Sequence, residues 1–143
     1  EAIIKGWTSG DAKVHYEAGV KGAMQMLSML YPNAAAVTDA EVATYLSAKP
    51  YDSSKGLQMI GEQYWAATFF NEYEAFANWR RTGFPVLQPF GGEAVYSGNV
   101  TNGTIPRRLI YPGSESSTNA DNFAAAIARQ GANEFTTRVW WDK

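Results

Sequence analysis

Four carboxylates, one histidine and two arginine pairs are the residues of this 143-residue chain whose types invite chemistry. Glu62, Glu72, Glu74 and Asp121 could supply the proton donor and the second carboxylate of glycoside hydrolysis, a reaction that needs the two at a defined separation. Nothing in their spacing picks out a pair. Carboxylates on a helix that ends in two arginines serve more often as structural ion pairs or as a wetted face. His15 is the only histidine, and cysteine is absent. A multi-histidine or thiolate metal site and a disulfide are thereby excluded, and no nucleophile motif such as G-x-S-x-G accompanies His15. The residues therefore predict no catalytic group, no metal and no cofactor.

Arg80-Arg81 and Arg107-Arg108 would make an anion-binding patch if both pairs faced solvent. Each pair is flanked by Pro, Tyr or Trp, and arginine can hold a planar bidentate contact while partly buried. Arginines bonded to helix carbonyls and to Glu74 or Glu115 are expected instead, with Arg81 held by backbone carbonyls or by a carboxylate such as Glu115. Asn99-Val100-Thr101 and Asn102-Gly103-Thr104 match glycosylation sequons, but the Asn-Gly pair has its own reason in turn geometry. Ligand contacts, if any, are expected from aromatics outside the core and beside polar loops, because sugar rings stack C–H faces on exposed rings and need hydrogen-bonding groups nearby. Tyr51, next to Asp52-Ser53, and Tyr96, between Glu93 and Ser97-Gly98-Asn99, have that setting. Trp7, Trp79, Trp140 and Trp141 lie in segments that read as packed.

The elements that must position these groups follow from the apolar pattern. Glu62 to Pro85 is the densest aromatic run and reads as the body of a central helix beginning at Ser54. Trp65, Phe69, Tyr73 and Phe76 form one row and are predicted to be buried, with Tyr64, Ala67 and Phe70 in a second row beside it. Arg80 and Arg81 favour the carboxyl end, Gly83 can take the left-handed cap, and Pro85 stops the helix. Upstream, residues 1 to 6 read as the last turns of a helix ended near Gly6. A helix then runs from Ala12 to Leu30 behind Ser9 or Asp11, and a shorter one from Asp39 to Lys49 behind Thr38 or Asp39. Gly19 and Gly22 weaken the first by roughly 1 kcal/mol each relative to Ala, which is tolerable where a neighbouring helix approaches closely.

After Pro85 the texture changes. Gly and Pro punctuate 86 to 104, with a small hairpin expected at Asn102-Gly103. Residues 105 to 112 are extended between two prolines, a final helix covers Phe123 to Arg129, and the aromatic tail 135 to 142 is extended and packed. The expectation is one region, 1–143, with a helical part at 1–85 and a loop-rich part with one helix at 86–143. Its hydrophobic content of 45% and formal charge of −2 exclude disorder and nucleic-acid binding by bulk charge. No run approaches the roughly 18 apolar residues of a membrane span. A chain opening in Glu-Ala-Ile-Ile-Lys already reads as helical, which suggests a fragment whose upstream partner lies elsewhere.

N-E-Y-E-A-F-x-x-W-R-R-T-G-F-P at 71 to 85, I-P-R-R-L-I-Y-P at 105 to 112, Glu115 with Asn119 and Asn122, and V-W-W-D at 139 to 142 resemble, in order and spacing, the carboxyl-terminal part of the SusD/RagB family. The segment from Glu1 to Val20 looks like the preceding family segment. The resemblance implies a mainly α fold, packed helices of tetratricopeptide-like helix-pair type with long irregular loops and little β. It further implies a surface-exposed outer-membrane lipoprotein of Bacteroidetes that captures a nutrient, usually a glycan, and hands it to a SusC-like TonB-dependent transporter. Membrane contact would run only through a lipid anchor outside this chain, and no nucleic acid is involved. The matching motifs are scaffold motifs, so no ligand residue is carried over. The competing readings are a structural helical domain that docks a partner and an α-helical glycoside hydrolase fragment.

Overall fold

In a computed structural model, residues 1–89, 100, 101 and 103–142 are described. The chain divides into two compact units, Glu1–Pro85 and Val86–Lys143. Six α-helices and no strand occur among the described residues.

Unit 1 opens with a helical turn stopped by Gly6, whose φ is +72°. Gly6 N donates to Ile3 O and Trp7 N to Ala2 O, the paired bonds of a Schellman stop, which a residue free to take the left-handed conformation allows. Asp11 then starts α1, Ala12–Leu30, by accepting from Lys13 N at 2.8 Å. Thr38 and Glu41 cap α2, Asp39–Ala48, reciprocally: each side chain bonds the other's backbone N–H, so two donors that the first turn leaves unpaired are satisfied. Lys21 Nζ and Gln25 Nε2 of α1 reach Asp39 at 3.0 and 2.8 Å, which fixes α2 against α1. Tyr16, Val20, Val42, Ala75 and Trp79 are the buried apolar residues of this unit.

The single central helix expected from Ser54 to Pro85 is two helices. Ser53–Lys55 is a 3-10 turn, α3 spans Gly56–Ala67, and α4 spans Glu72–Thr82. Thr68 N returns to Tyr64 O and ends α3, while Asn71 Oδ1 accepts from Glu74 N and starts α4. Glu72 and Glu74 fill the first turn of α4, Arg80 and Arg81 the last, and Gly83 at φ +78° closes it; each charge complements its helix end. The break rotates the expected aromatic row out of register. Phe69 is 77% and Tyr73 82% exposed, whereas Trp65 and Phe76 are half-buried. The buried side of α4 is Ala75, Asn78 and Trp79.

In unit 2, α5 is a single turn, Glu115–Thr118, and α6 runs Ala120–Gln130 to Gly131. The final helix thus begins three residues before the expected Phe123, and a helical turn precedes it. Residues 105–112 are not a strand: Arg107 N and Arg108 N both donate to Phe135 O, and Tyr111 N donates to Asn133 Oδ1. Two prolines deny this segment a ladder, so side chains and single backbone bonds hold it. Arg107 and Asp142 form a buried ion pair, Arg107 Nε donating to Asp142 Oδ2 at 2.8 Å and Nη2 to Oδ1. Arg138 Nη1 adds a third bond at 3.0 Å. Thr101 and Thr104 close a turn, but the expected hairpin residue Asn102 lies outside the described residues.

Candidate functional site

The carboxylates that chemistry would need are engaged locally or open to solvent. Glu62 accepts from Gln58 Nε2 at 2.8 Å, and Glu74 accepts from the Tyr64 hydroxyl at 3.1 Å. Glu62, Glu72 and Glu74 are exposed. Asp121 belongs to the other unit, in the first turn of α6. Burial of Tyr64, and then its bond to Glu74, raise its phenol above the usual range, so it stays a hydrogen-bond donor at neutral pH. His15 is exposed on α1. No group of three metal-ligating side chains occurs among the described residues.

The arginine pairs are structural, and Arg81 is held by a carboxylate as expected. Arg81 takes Glu1 rather than Glu115, through Nη1–Oε1 at 2.7 Å and Nη2–Oε2 at 3.0 Å, and also donates to Asn78 Oδ1. The Arg81 hydrogen bonds hold the Glu1 carboxyl below its usual value against the opposing effect of burial. Arg80 lies over the Phe76 ring at 4.1 Å, Arg108 lies 4.9 Å from the Tyr111 ring centre, and Glu115 is bonded by Asn119.

Tyr51 is half-buried. Its ring meets Tyr16 at 5.1 Å between centres, tilted by 43°. Its hydroxyl occupies the space that a side chain at Gly56 would take, 2.5 Å from that Cβ position. Tyr51 also lines a depression of about 600 Å³ with Ile3, Ile4, Asp11, Lys13 and Ser53 on its walls. An aromatic edge beside a carboxylate, an ammonium and a hydroxyl can stack one sugar and bond its hydroxyls. Tyr96 and both sequon asparagines, Asn99 and Asn102, lie outside the described residues.

A second depression in unit 1, about 410 Å³, runs between the opening turn, α1 and α3; Ala12, Gly19, Ala23, Ile60 and Ala67 make it apolar. Nothing lies within 4 Å of a Cβ built at Gly19 or Gly22, so no close helix approach among the described residues offsets the cost of these glycines. Two tryptophans expected to pack are open: Trp7 is 76% and Trp140 94% exposed, against 7% for Trp79. Composition and spacing carried no signal for that exposure, because an aromatic tail reads the same packed or open.

A family described as "Starch-binding associating with outer membrane", of SusD-like type, matches residues 1–112. The chain belongs to the SusD-like family. Among solved structures, a chitin-binding protein is similar over 99% of this SusD-like chain at 37% identity, with a TM-score of 0.85. A SusD-like protein from Bacteroidetes is similar over 99% at 34% identity and 0.84, and a SusD homologue from Bacteroides fragilis over 99% at 27% and 0.75. The SusD-like chain spans 30%, 28% and 32% of the lengths of these three. No curated protein sequence matches it. The mainly α, helix-pair architecture is the one these SusD-like structures share, and the names that mention an activity describe binding, not catalysis.

Proposed function

We propose that this chain is part of a cell-surface glycan-binding protein of the outer membrane that works with a SusC-like TonB-dependent transporter in polysaccharide uptake. The observation that carries the reading is the family match over residues 1–112, joined to 37% identity with a chitin-binding protein along essentially the whole chain. The protein retains glycan without cleaving it. That fits the exposure of Glu62, Glu72 and Glu74 to solvent, since a catalytic proton donor needs a setting that raises its pKa. The anchor is a lipid outside this stretch, in keeping with the absence, among the described residues, of a helix long and apolar enough to cross a membrane.

Tyr51 and Tyr96 are the candidate stacking residues. For Tyr51 the support is its depression with Asp11, Lys13 and Ser53. For Tyr96 it is the sequence setting alone. Affinity electrophoresis of the full-length polypeptide through starch, soluble chitin derivatives and other polysaccharides tests the reading: the parent is retarded by at least one without releasing reducing sugar, and Tyr51→Ala or Tyr96→Ala weakens the retardation. Reducing sugar that appears with the parent and vanishes with Glu62→Gln, Glu72→Gln or Glu74→Gln would overturn binding without catalysis. Co-purification of a TonB-dependent transporter from detergent-solubilised outer membranes tests the partner.

A further inference from the structure

Unit 2 carries a pocket apart from the Tyr51 depression, walled in part by the motif residues Tyr111, Trp140 and Trp141. It is about 510 Å³ and lies between α6 and the segment 138–141, with Tyr111, Arg129, Gln130, Arg138, Trp140 and Trp141 among its walls. Trp140 is the most exposed large apolar residue of those described, at 94%, so both faces of its indole are open to a partner. An indole face beside donors is the arrangement that sugar C–H faces and hydroxyls complement.

The polar groups of the wall narrow the ligand. Gln130 Oε1 accepts from the Tyr111 hydroxyl at 2.9 Å, which leaves the Gln130 amide N–H groups to donate elsewhere. Arg138 is paired with Asp142 at 3.0 Å but shares that one carboxylate with buried Arg107, so the three groups together keep one positive charge. Arg129 is exposed and makes no ion pair among the described residues. The wall is therefore net positive, and Arg129 is its guanidinium outside any ion pair among the described residues, with a planar fork that matches a carboxylate in two parallel hydrogen bonds. The pocket holds no free carboxylate that would repel such a ligand, since Asp142 is fully buried between two arginines.

We propose that this pocket is a subsite for a uronic acid residue of a glycan, with Trp140 as the stacking face, Arg129 as the carboxylate clamp and Gln130 as a hydroxyl donor. The proposal rests on the glycan-binding reading and adds a ligand class and a location to it. Trp140 sets position, Arg129 selects the acid over its neutral counterpart, and the subsite works independently of Tyr51.

The test uses the full-length polypeptide, with polygalacturonate and alginate as acidic probes and starch and soluble chitin derivatives as neutral ones, by affinity electrophoresis and titration calorimetry. Arg129→Gln should weaken an acidic probe by about tenfold, the worth of a charged hydrogen-bond pair at a partly wet site, and leave neutral probes unchanged. Trp140→Ala should weaken the acidic probe several-fold, with quenching of tryptophan fluorescence by that probe lost. Equal binding of acidic probes by parent and Arg129→Gln overturns the subsite. So does retention of neutral probes with no acidic probe bound, which leaves the capture reading standing. A Trp140 shielded from acrylamide quenching in the ligand-free protein, showing that polypeptide covers it, overturns the subsite as well. A parent that binds no probe of either kind overturns the capture reading and the subsite with it.

Discussion

Phe84 fills the space beside Gly61, so closely that a Cβ built on Gly61 would stand 2.6 Å from the Phe84 Cβ. Gly61 lies inside α3 and is buried, so the segment that follows α4 packs back on α3 at a residue with no side chain to block it.

That relationship sets the sign of a substitution. Replacing Gly by Ala in a helix interior stabilises by about 1 kcal/mol where space permits, but overpacking a filled contact costs about 1 to 3 kcal/mol. Gly61→Ala should therefore lower the melting temperature, whereas Gly22→Ala, with nothing within 4 Å of its Cβ position, should raise it. Thermal unfolding of both variants checks the pair, and a stabilised Gly61→Ala would show that Phe84 yields.

Phe69→Ala should cost less than about 1 kcal/mol, because surface substitutions away from packed groups usually do and Phe69 is 77% exposed. Trp79→Ala, at 7% exposure, should cost about 3 to 5 kcal/mol. Urea denaturation of the two would read the contrast directly; equal losses would restore Phe69 to the core.

Asp142 has a side chain with no exposed surface and bonds from Arg107 and Arg138. Asp142→Asn leaves Arg107 buried without its counter-charge and should cost about 3 to 5 kcal/mol. Replacing Arg107 and Asp142 together by Met and Leu should cost less than Asp142→Asn alone, since an absent pair carries no uncompensated charge. A double variant that falls below the single one would argue against charge as the cause.

The Glu1 carboxyl is held below its usual 4.5, chiefly by its bond from Arg81. A depressed folded value means that the contribution is complete above about pH 4.5, the unfolded value, and is lost as pH falls through the lower folded one. Arg81 is half in water, so the pair is worth under about 1 kcal/mol. Melting of parent and Arg81→Gln compared at pH 7 and pH 3 should show the gap narrowing at the lower pH; a constant gap would assign it to the Asn78 contact instead.

The legible parts of the fold were those encoded within a few residues. Gly6, Asp11, Thr38 and Gly83 each stop or start a helix or helical turn through bonds to residues within five positions, and the sequence showed all four as signals, Asp11 and Thr38 each beside one alternative. The break at 68–71 was hidden because Thr68, Phe69 and Phe70 continue an apolar spacing, although Asn71 ahead of Glu72 and Glu74 is a cap signal of the same kind as Thr38. The partners of Arg81 and Arg107 were beyond reach for another reason: charge type predicts that a carboxylate will be found, not which of several distant ones. For the site, the polar setting of Tyr51 was readable from its neighbours, while the openness of Trp140 depends on where α6 and the tail lie, which local pattern does not encode.

The bidentate contact between Glu1 and Arg81 has a kinetic side. It joins residues 80 apart in sequence, whereas α3 and α4 meet across four connecting residues. Closing the larger loop costs about 2.6 kcal/mol more chain entropy than closing the smaller, and local contacts form before distant ones return anything for that cost. The helix pair should therefore assemble first, with the Glu1 turn arriving last as a latch on a body already formed. Arg81→Gln would then hasten unfolding and leave the refolding rate unchanged, as stopped-flow measurement would show. The same order makes the Glu1 turn the first part of unit 1 to come loose, and the apolar depression behind it opens to solvent before any helix melts.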